Sequence, residues 1–122
     1  MSYEFITEVT KGYLHVKVLG KDSLEVSTEY WTRIFELSQK EGHKKVLVEE
    51  ELEGTLTTLD SYKISSLISE LGKKFKLKIA FYDKLPEHNI NNTFGETVAI
   101  TRGVTVKVFP SFIKAEKWLL DS

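Results

Sequence analysis

Residues 94 to 120 decide the fold: Phe94-Gly-Glu-Thr-Val-Ala-Ile-Thr-Arg-Gly103-Val-Thr-Val-Lys-Val-Phe-Pro-Ser111-Phe-Ile-Lys-Ala-Glu-Lys-Trp-Leu-Leu120. The pattern predicts a short helix, a glycine stop, a β-branched strand, a proline-serine turn and a closing amphipathic helix. Thr93 and Glu96 fit a capping box, each side chain satisfying the other's helix-start amide. Gly103 supplies a residue that leaves a helix with positive φ. Val104, Val106 and Val108 alternate with Thr105 and Lys107, as in a strand with one buried face. Ser111 caps a last helix whose apolar residues Phe112, Ala115, Trp118 and Leu119 share one side.

Working outward, Tyr3–Val9 and Tyr13–Leu19 read as strands joined in a hairpin at Lys11-Gly12. A helix is expected from Ser27 to Lys40, with Tyr30, Ile34 and Leu37 on one side and Trp31 and Phe35 beside them. Val46-Leu47-Val48 forms a short strand that runs into Glu49-Glu50-Glu51. A second helix follows from about Leu59 to Phe75, striped by Ile64, Leu67, Ile68 and Leu71. Leu77–Tyr82 is the next strand, and Pro86–Asn92 the longest loop.

Strands alternating with helices imply parallel crossovers. One strand face collects Leu14, Val16, Val18, Val46, Val48, Ile79, Phe81, Val106 and Val108. The other is amphipathic, with Tyr13, His15, Leu47, Glu49, Tyr82 and Phe109. A sheet covered on both sides reads as continuous apolar runs, so the main helix layer is expected on the valine-rich side. The prediction is one α/β domain over residues 1–122. It has a mixed five-stranded sheet, an N-terminal hairpin, parallel crossovers and four helices mainly on one face. Leu14, Val16, Val48, Ile79, Phe81, Val106, Trp118 and Leu119 are expected in a single core.

The 122 residues are one domain's worth. A composition of 41% hydrophobic and 29% charged residues is that of a soluble globular protein. The net charge of −1 offers no field for nucleic acid or an anionic membrane. The absence of cysteine excludes disulfides, thiolate catalysis and Cys-ligated metals. No apolar run reaches the roughly 20 residues of a membrane span, and the first residues lack a leader's basic start and apolar core. A cytoplasmic location is expected.

A helix ending Val98-Ala-Ile-Thr-Arg-Gly103, a strand ending Val108-Phe109 and the closing Ala115-Glu-Lys-Trp-Leu119 resemble the C-terminus of SpoIIAA-like proteins. These belong to the STAS superfamily of sulfate transporters and anti-sigma-factor antagonists. The detailed match covers the last quarter of the chain, and the order of elements agrees over nearly all of it. The resemblance implies a SpoIIAA-like arrangement and a free-standing domain. In antagonist members an Asp-Ser at the start of the corresponding helix carries a phosphoserine, which would place it at Ser61, after Asp60. The segment before Asp60 is longer here, and Tyr62-Lys63 stands where small residues normally follow. The simpler reading is that Thr57, Thr58 or Asp60 caps the helix.

Glu49, Glu50, Glu51 and Glu53 lie at the carboxyl end of a central strand, where α/β sheets bind ligands, and Asp83 ends the next strand. Such carboxylates could hold Mg²⁺, but a solvated acidic rim that binds a protein partner is the reading adopted. No metal and no cofactor is expected. His15, His43 and His88 stand in different elements with no shared spacing, and His15 reads as a packing or hydrogen-bonding residue. Nucleophile elbows, phosphate loops and dinucleotide fingerprints are missing.

The expected function is a non-catalytic interaction or regulatory module with an unidentified protein partner. The alternative is binding of a small apolar ligand or lipid between sheet and helices, as a related fold in lipid-transfer proteins does. Tyr13, Leu47, Tyr82 and Phe109 put apolar bulk on the less covered sheet face, so a homodimer is expected as well.

Overall fold

The computed structural model describes residues 3–85, 88, 92, 93, 96, 97, 100 and 102–121. In chain order the elements are β1 (Tyr3–Thr10), β2 (Tyr13–Lys21), α1 (Leu24–Glu41), β3 (Lys45–Glu53), α2 (Thr58–Lys74), β4 (Lys78–Asp83), β5 (Thr105–Phe109) and α3 (Phe112–Leu120). The sheet runs β1-β2-β3-β4-β5, with β1 antiparallel to β2 and every other pair parallel. The mixed five-stranded sheet and the hairpin are as expected. Lys11 and Gly12 both have positive φ, as a two-residue hairpin loop needs for its twist to match that of the strands.

The strand order explains where the helices go. From β2 to β5 the chain steps across the sheet in one direction, and right-handed crossovers then share one face. α1 and α2 accordingly cover the valine-rich side. α3, which follows the last strand, packs on the opposite side. Among the described residues three helices are defined, against four expected. The other one, placed after the Thr93–Glu96 box, falls on a stretch whose residues 94, 95, 98, 99 and 101 lie outside those described. So does much of the Pro86–Asn92 loop. The Glu96 carboxylate does not close the expected box: it accepts the Val108 backbone N–H at 2.6 Å. β5 is an edge strand, and an outward amide there needs a partner.

The expected single core is two. Leu14, Val16, Val48, Ile79 and Phe81 are buried with α1 and α2. Tyr13, Leu47, Ala80, Ala115 and Leu119 form a second cluster beneath α3. Val106 and Trp118 are only half-buried. The apolar bulk on which a homodimer was expected is therefore largely covered from within the chain, with Tyr13 1% and Leu47 0% exposed.

Helix bounds move by a turn or less. α1 starts at Leu24 because the Ser23 side chain accepts from the Val26 amide at 3.0 Å, one turn before the expected Ser27. Thr57 caps α2 by accepting the Asp60 N–H at 3.0 Å. β3 is longer than its valines suggest. The glutamates are part of the strand, and Leu52 beyond them is fully buried.

Candidate functional site: a buried carboxylate–histidine cluster

Strand alternation splits the acidic run. The register places Val18, Glu50 and Asp83 side by side, in line with the row Val16–Val48–Phe81–Val108 on the core face. Glu49 points the other way. The solvated rim is therefore incorrect for three of its members: Glu49 is 7% and Glu50 5% exposed, and the Asp83 side chain 3%. Glu51 is half-buried and Glu53 exposed. A nine-residue strand that continues through the glutamates sends alternate carboxylates into opposite cores.

On the α3 side, Glu49 receives His15 Nε2 at 2.9 Å and Lys84 Nζ at 2.8 Å, while Lys84 also reaches Glu51 at 2.9 Å. Burial opposes ionisation of Glu49, but the hydrogen bonds from Lys84 and His15 outweigh it and hold the carboxyl below its ordinary value. Its hydrogen bonds to Glu49 and Glu51 raise Lys84 in return. His15 also meets the Phe112 ring edge-on, so it does pack and hydrogen-bond. This is a compensated ion-pair network.

The core side is different. The Tyr30 hydroxyl donates to Glu50 Oε2. His88 Nδ1 lies 2.8 Å from Asp83 Oδ2 and 3.8 Å from Glu50 Oε1. Its Nε2 faces the carbonyl of Gly54, the residue that follows β3. Asp83 also accepts the Leu85 N–H on Oδ1 and the Asn92 side-chain amide on Oδ2, both at 2.9 Å. Nearby, Asp22 Oδ1 accepts Ser27 Oγ at 2.7 Å and the Ser23 N–H at 2.8 Å. Burial pushes the Glu50 carboxyl well above the carboxylate range, and the charges of Asp83 and Asp22 push it further. Burial likewise raises Tyr30, with Glu50 adding to it. Burial raises Asp22 as well, against the hydrogen bond from Ser27.

Asp22, Tyr30, Glu50 and His88 border a cavity of about 100 Å³ between the sheet and the α1–α2 layer. With Ser27, Ser65, Asn92 and Glu96 they give it polar lining, and Leu56, Ile64, Ile68, Phe81, Val106 and Val108 supply apolar wall. Ser61, expected at an accessible helix start, is buried in the first turn of α2 and also lines the cavity. Asp60 is half-buried. Of the expected site residues, then, Glu50 and Ser61 line this space and Asp83 is joined to it through His88, whereas Glu49, Glu51 and Glu53 do not line it.

Sequence reasoning missed Tyr30, Asp22 and His88. Tyr30 was assigned to a core stripe and His88 to a loop. The signal available was Leu52. An apolar residue two positions past Glu50 extends the buried face of β3 and carries Glu50 inside with it.

No protein-family model and no curated protein matches the chain. Among solved structures it is similar to an uncharacterised protein of the DUF3478 family with a SpoIIAA-like fold from Shewanella loihica. The TM-score is 0.56 at 20% identity, covering 96% of this chain and 93% of that one. The fold is thus SpoIIAA-like, as the C-terminal motifs implied. Among the described residues no helix is long and apolar enough to cross a membrane.

Proposed function

We propose that this chain is a non-catalytic binding module that takes a small, largely apolar molecule with one polar end between its sheet and its α1–α2 layer. The observation that carries this reading is the cavity, whose apolar lining from Leu56, Ile64, Ile68, Phe81, Val106 and Val108 is joined by polar groups such as Tyr30, Glu50 and His88. Its size argues for a compact ligand. About 150 Å³ suffices for benzene in an engineered core, so about 100 Å³ suits a few non-hydrogen atoms and not an acyl chain. The non-catalytic part is supported by His88, whose ring nitrogens face the Gly54 carbonyl and Asp83 and leave no nitrogen turned to a serine hydroxyl.

Protein-observed NMR with propan-2-ol, four non-hydrogen atoms with one hydroxyl, as the probe tests this. Saturable shifts confined to Leu56, Ile64, Phe81 and their neighbours are expected, and they should vanish in a folded Ile64→Trp variant that fills the space. Shifts scattered over the surface, or unchanged by Ile64→Trp, would overturn the reading.

A cytoplasmic regulatory role through a protein partner is the second reading. It is favoured by Glu51 and Glu53, which remain accessible at the carboxyl end of β3. Charge reversal at both should abolish capture of such a partner while propan-2-ol binding persists.

A further inference from the structure

We propose that Glu50, Asp83 and His88 form a site for one divalent cation of the Zn²⁺ class, held from β3, from β4 and from the segment after β4. One donor atom from each residue lies within 4.8 Å of the others. The three side chains are only 3–6% exposed, unlike the surface carboxylates that gather without a metal. A tetrahedral Zn²⁺ with bonds of about 2.0–2.2 Å sets its donors about 3.4 Å apart. The distances from His88 Nδ1, 2.8 Å to Asp83 Oδ2 and 3.8 Å to Glu50 Oε1, bracket that spacing. Each of these two pairs is within about 0.6 Å of it.

The histidine itself points to a cation. A carbonyl oxygen only accepts, so the contact with Gly54 requires the proton on Nε2. In the neutral ring the lone pair is then on Nδ1, buried and aimed at two carboxylates. Two acceptors at 2.8 Å need a positive charge between them, either a proton or a metal ion. Metal-binding histidines are oriented in this way, with the second ring nitrogen donating to a carbonyl or carboxylate. The carboxylates have matching supports: Tyr30 on Glu50, and Leu85 N–H with Asn92 on Asp83.

Charge balance points the same way. Asp22, Glu50 and Glu96 line the cavity, Asp83 adjoins it through His88, and no Lys or Arg lines it among the described residues. Buried carboxylates are ordinarily paired or bound to a metal. One imidazole with two carboxylates and no thiolate selects a borderline ion over Mg²⁺ or Ca²⁺, which prefer oxygen alone. Three protein donors leave a coordination position open, and Glu50 and His88 both border the cavity.

The metal alone is the probe, so this inference and the ligand reading fail separately. Chelator-stripped protein would be titrated with ZnCl₂, and with MgCl₂ for comparison, followed by native mass spectrometry and by ¹⁵N shifts of the imidazole rings. One Zn²⁺ per chain is expected, with a large shift at His88 Nδ1 and none at His15 or His43. Binding should weaken at least tenfold in Asp83→Asn and Glu50→Gln, and stay intact in His43→Ala. The ring shift is read on the unaltered chain, so a variant that misfolds leaves the test in force. An unchanged His88 Nδ1 at saturating Zn²⁺ would overturn the proposal, since the charge there is then a proton. Binding that follows His15 or His43 would overturn it equally.

Discussion

Ser38 is fully buried on α1, and its hydroxyl has no hydrogen-bond partner among the described residues. An unmet buried donor costs free energy, and alanine is also the better helix former. Ser38→Ala should therefore raise unfolding stability by about 1 kcal/mol, read by urea denaturation. A loss of stability would mean that the hydroxyl has a partner after all. Tyr30 makes the opposite case at the same scale. Its hydroxyl is the donor on a carboxyl held in a dry environment, so Tyr30→Phe leaves Glu50 Oε2 without it. The expected cost is about 1–3 kcal/mol. Adding Glu50→Gln to Tyr30→Phe should cost less than the sum of the single changes, because the two groups interact directly. Strict additivity in that cycle would show that the hydrogen bond carries no energy.

Among the elements, α3 has the largest consequence for its length. Nine residues cover Tyr13, Leu47 and Ala80 on the second sheet face through Ala115 and Leu119, and Lys78 of β4 ties down the helix end by donating to the Trp118 and Asp121 carbonyls at 2.8 Å. Leu119→Ala should cost about 2–5 kcal/mol, from lost burial and the cavity left behind. The Tyr13 hydroxyl donates to Glu116 at 2.7 Å and, with Lys11, holds the Glu116 carboxyl below its ordinary value. A depressed carboxyl stabilises the fold above its unfolded value of about 4.5 and loses that contribution as pH falls through the folded value. Tyr13→Phe should thus destabilise at pH 7 and show a shallower loss of stability below pH about 4.5. Parallel acid profiles for the two proteins would remove the Tyr13–Glu116 link.

At the scale of the whole molecule, two unequal cores share one sheet. Ile79 is fully buried on the larger side, and Ile79→Ala should cost about 2–5 kcal/mol. Self-association depends on the smaller one. Tyr13 and Leu47 are already covered by α3, so the intact chain should not pair through that face. Ala115→Glu should loosen α3, expose the face and produce association visible by light scattering. A variant that stays monomeric and folded would show that the face is not adhesive. Much of this architecture was legible beforehand. The alternation of Val104, Val106 and Val108, the stripes of the helices and the Lys11-Gly12 turn are local patterns, and local patterns carry strand, helix and hairpin directly. The sequence by itself determined the elements, their order and the valine-rich core face. Only the tertiary structure decided that Glu50 and Asp83 stand side by side inside, that His88 folds back onto Gly54, and that α3 takes the second face. Those outcomes depend on register between strands about 30 residues apart and on which surface remained open after the crossovers had filled the other.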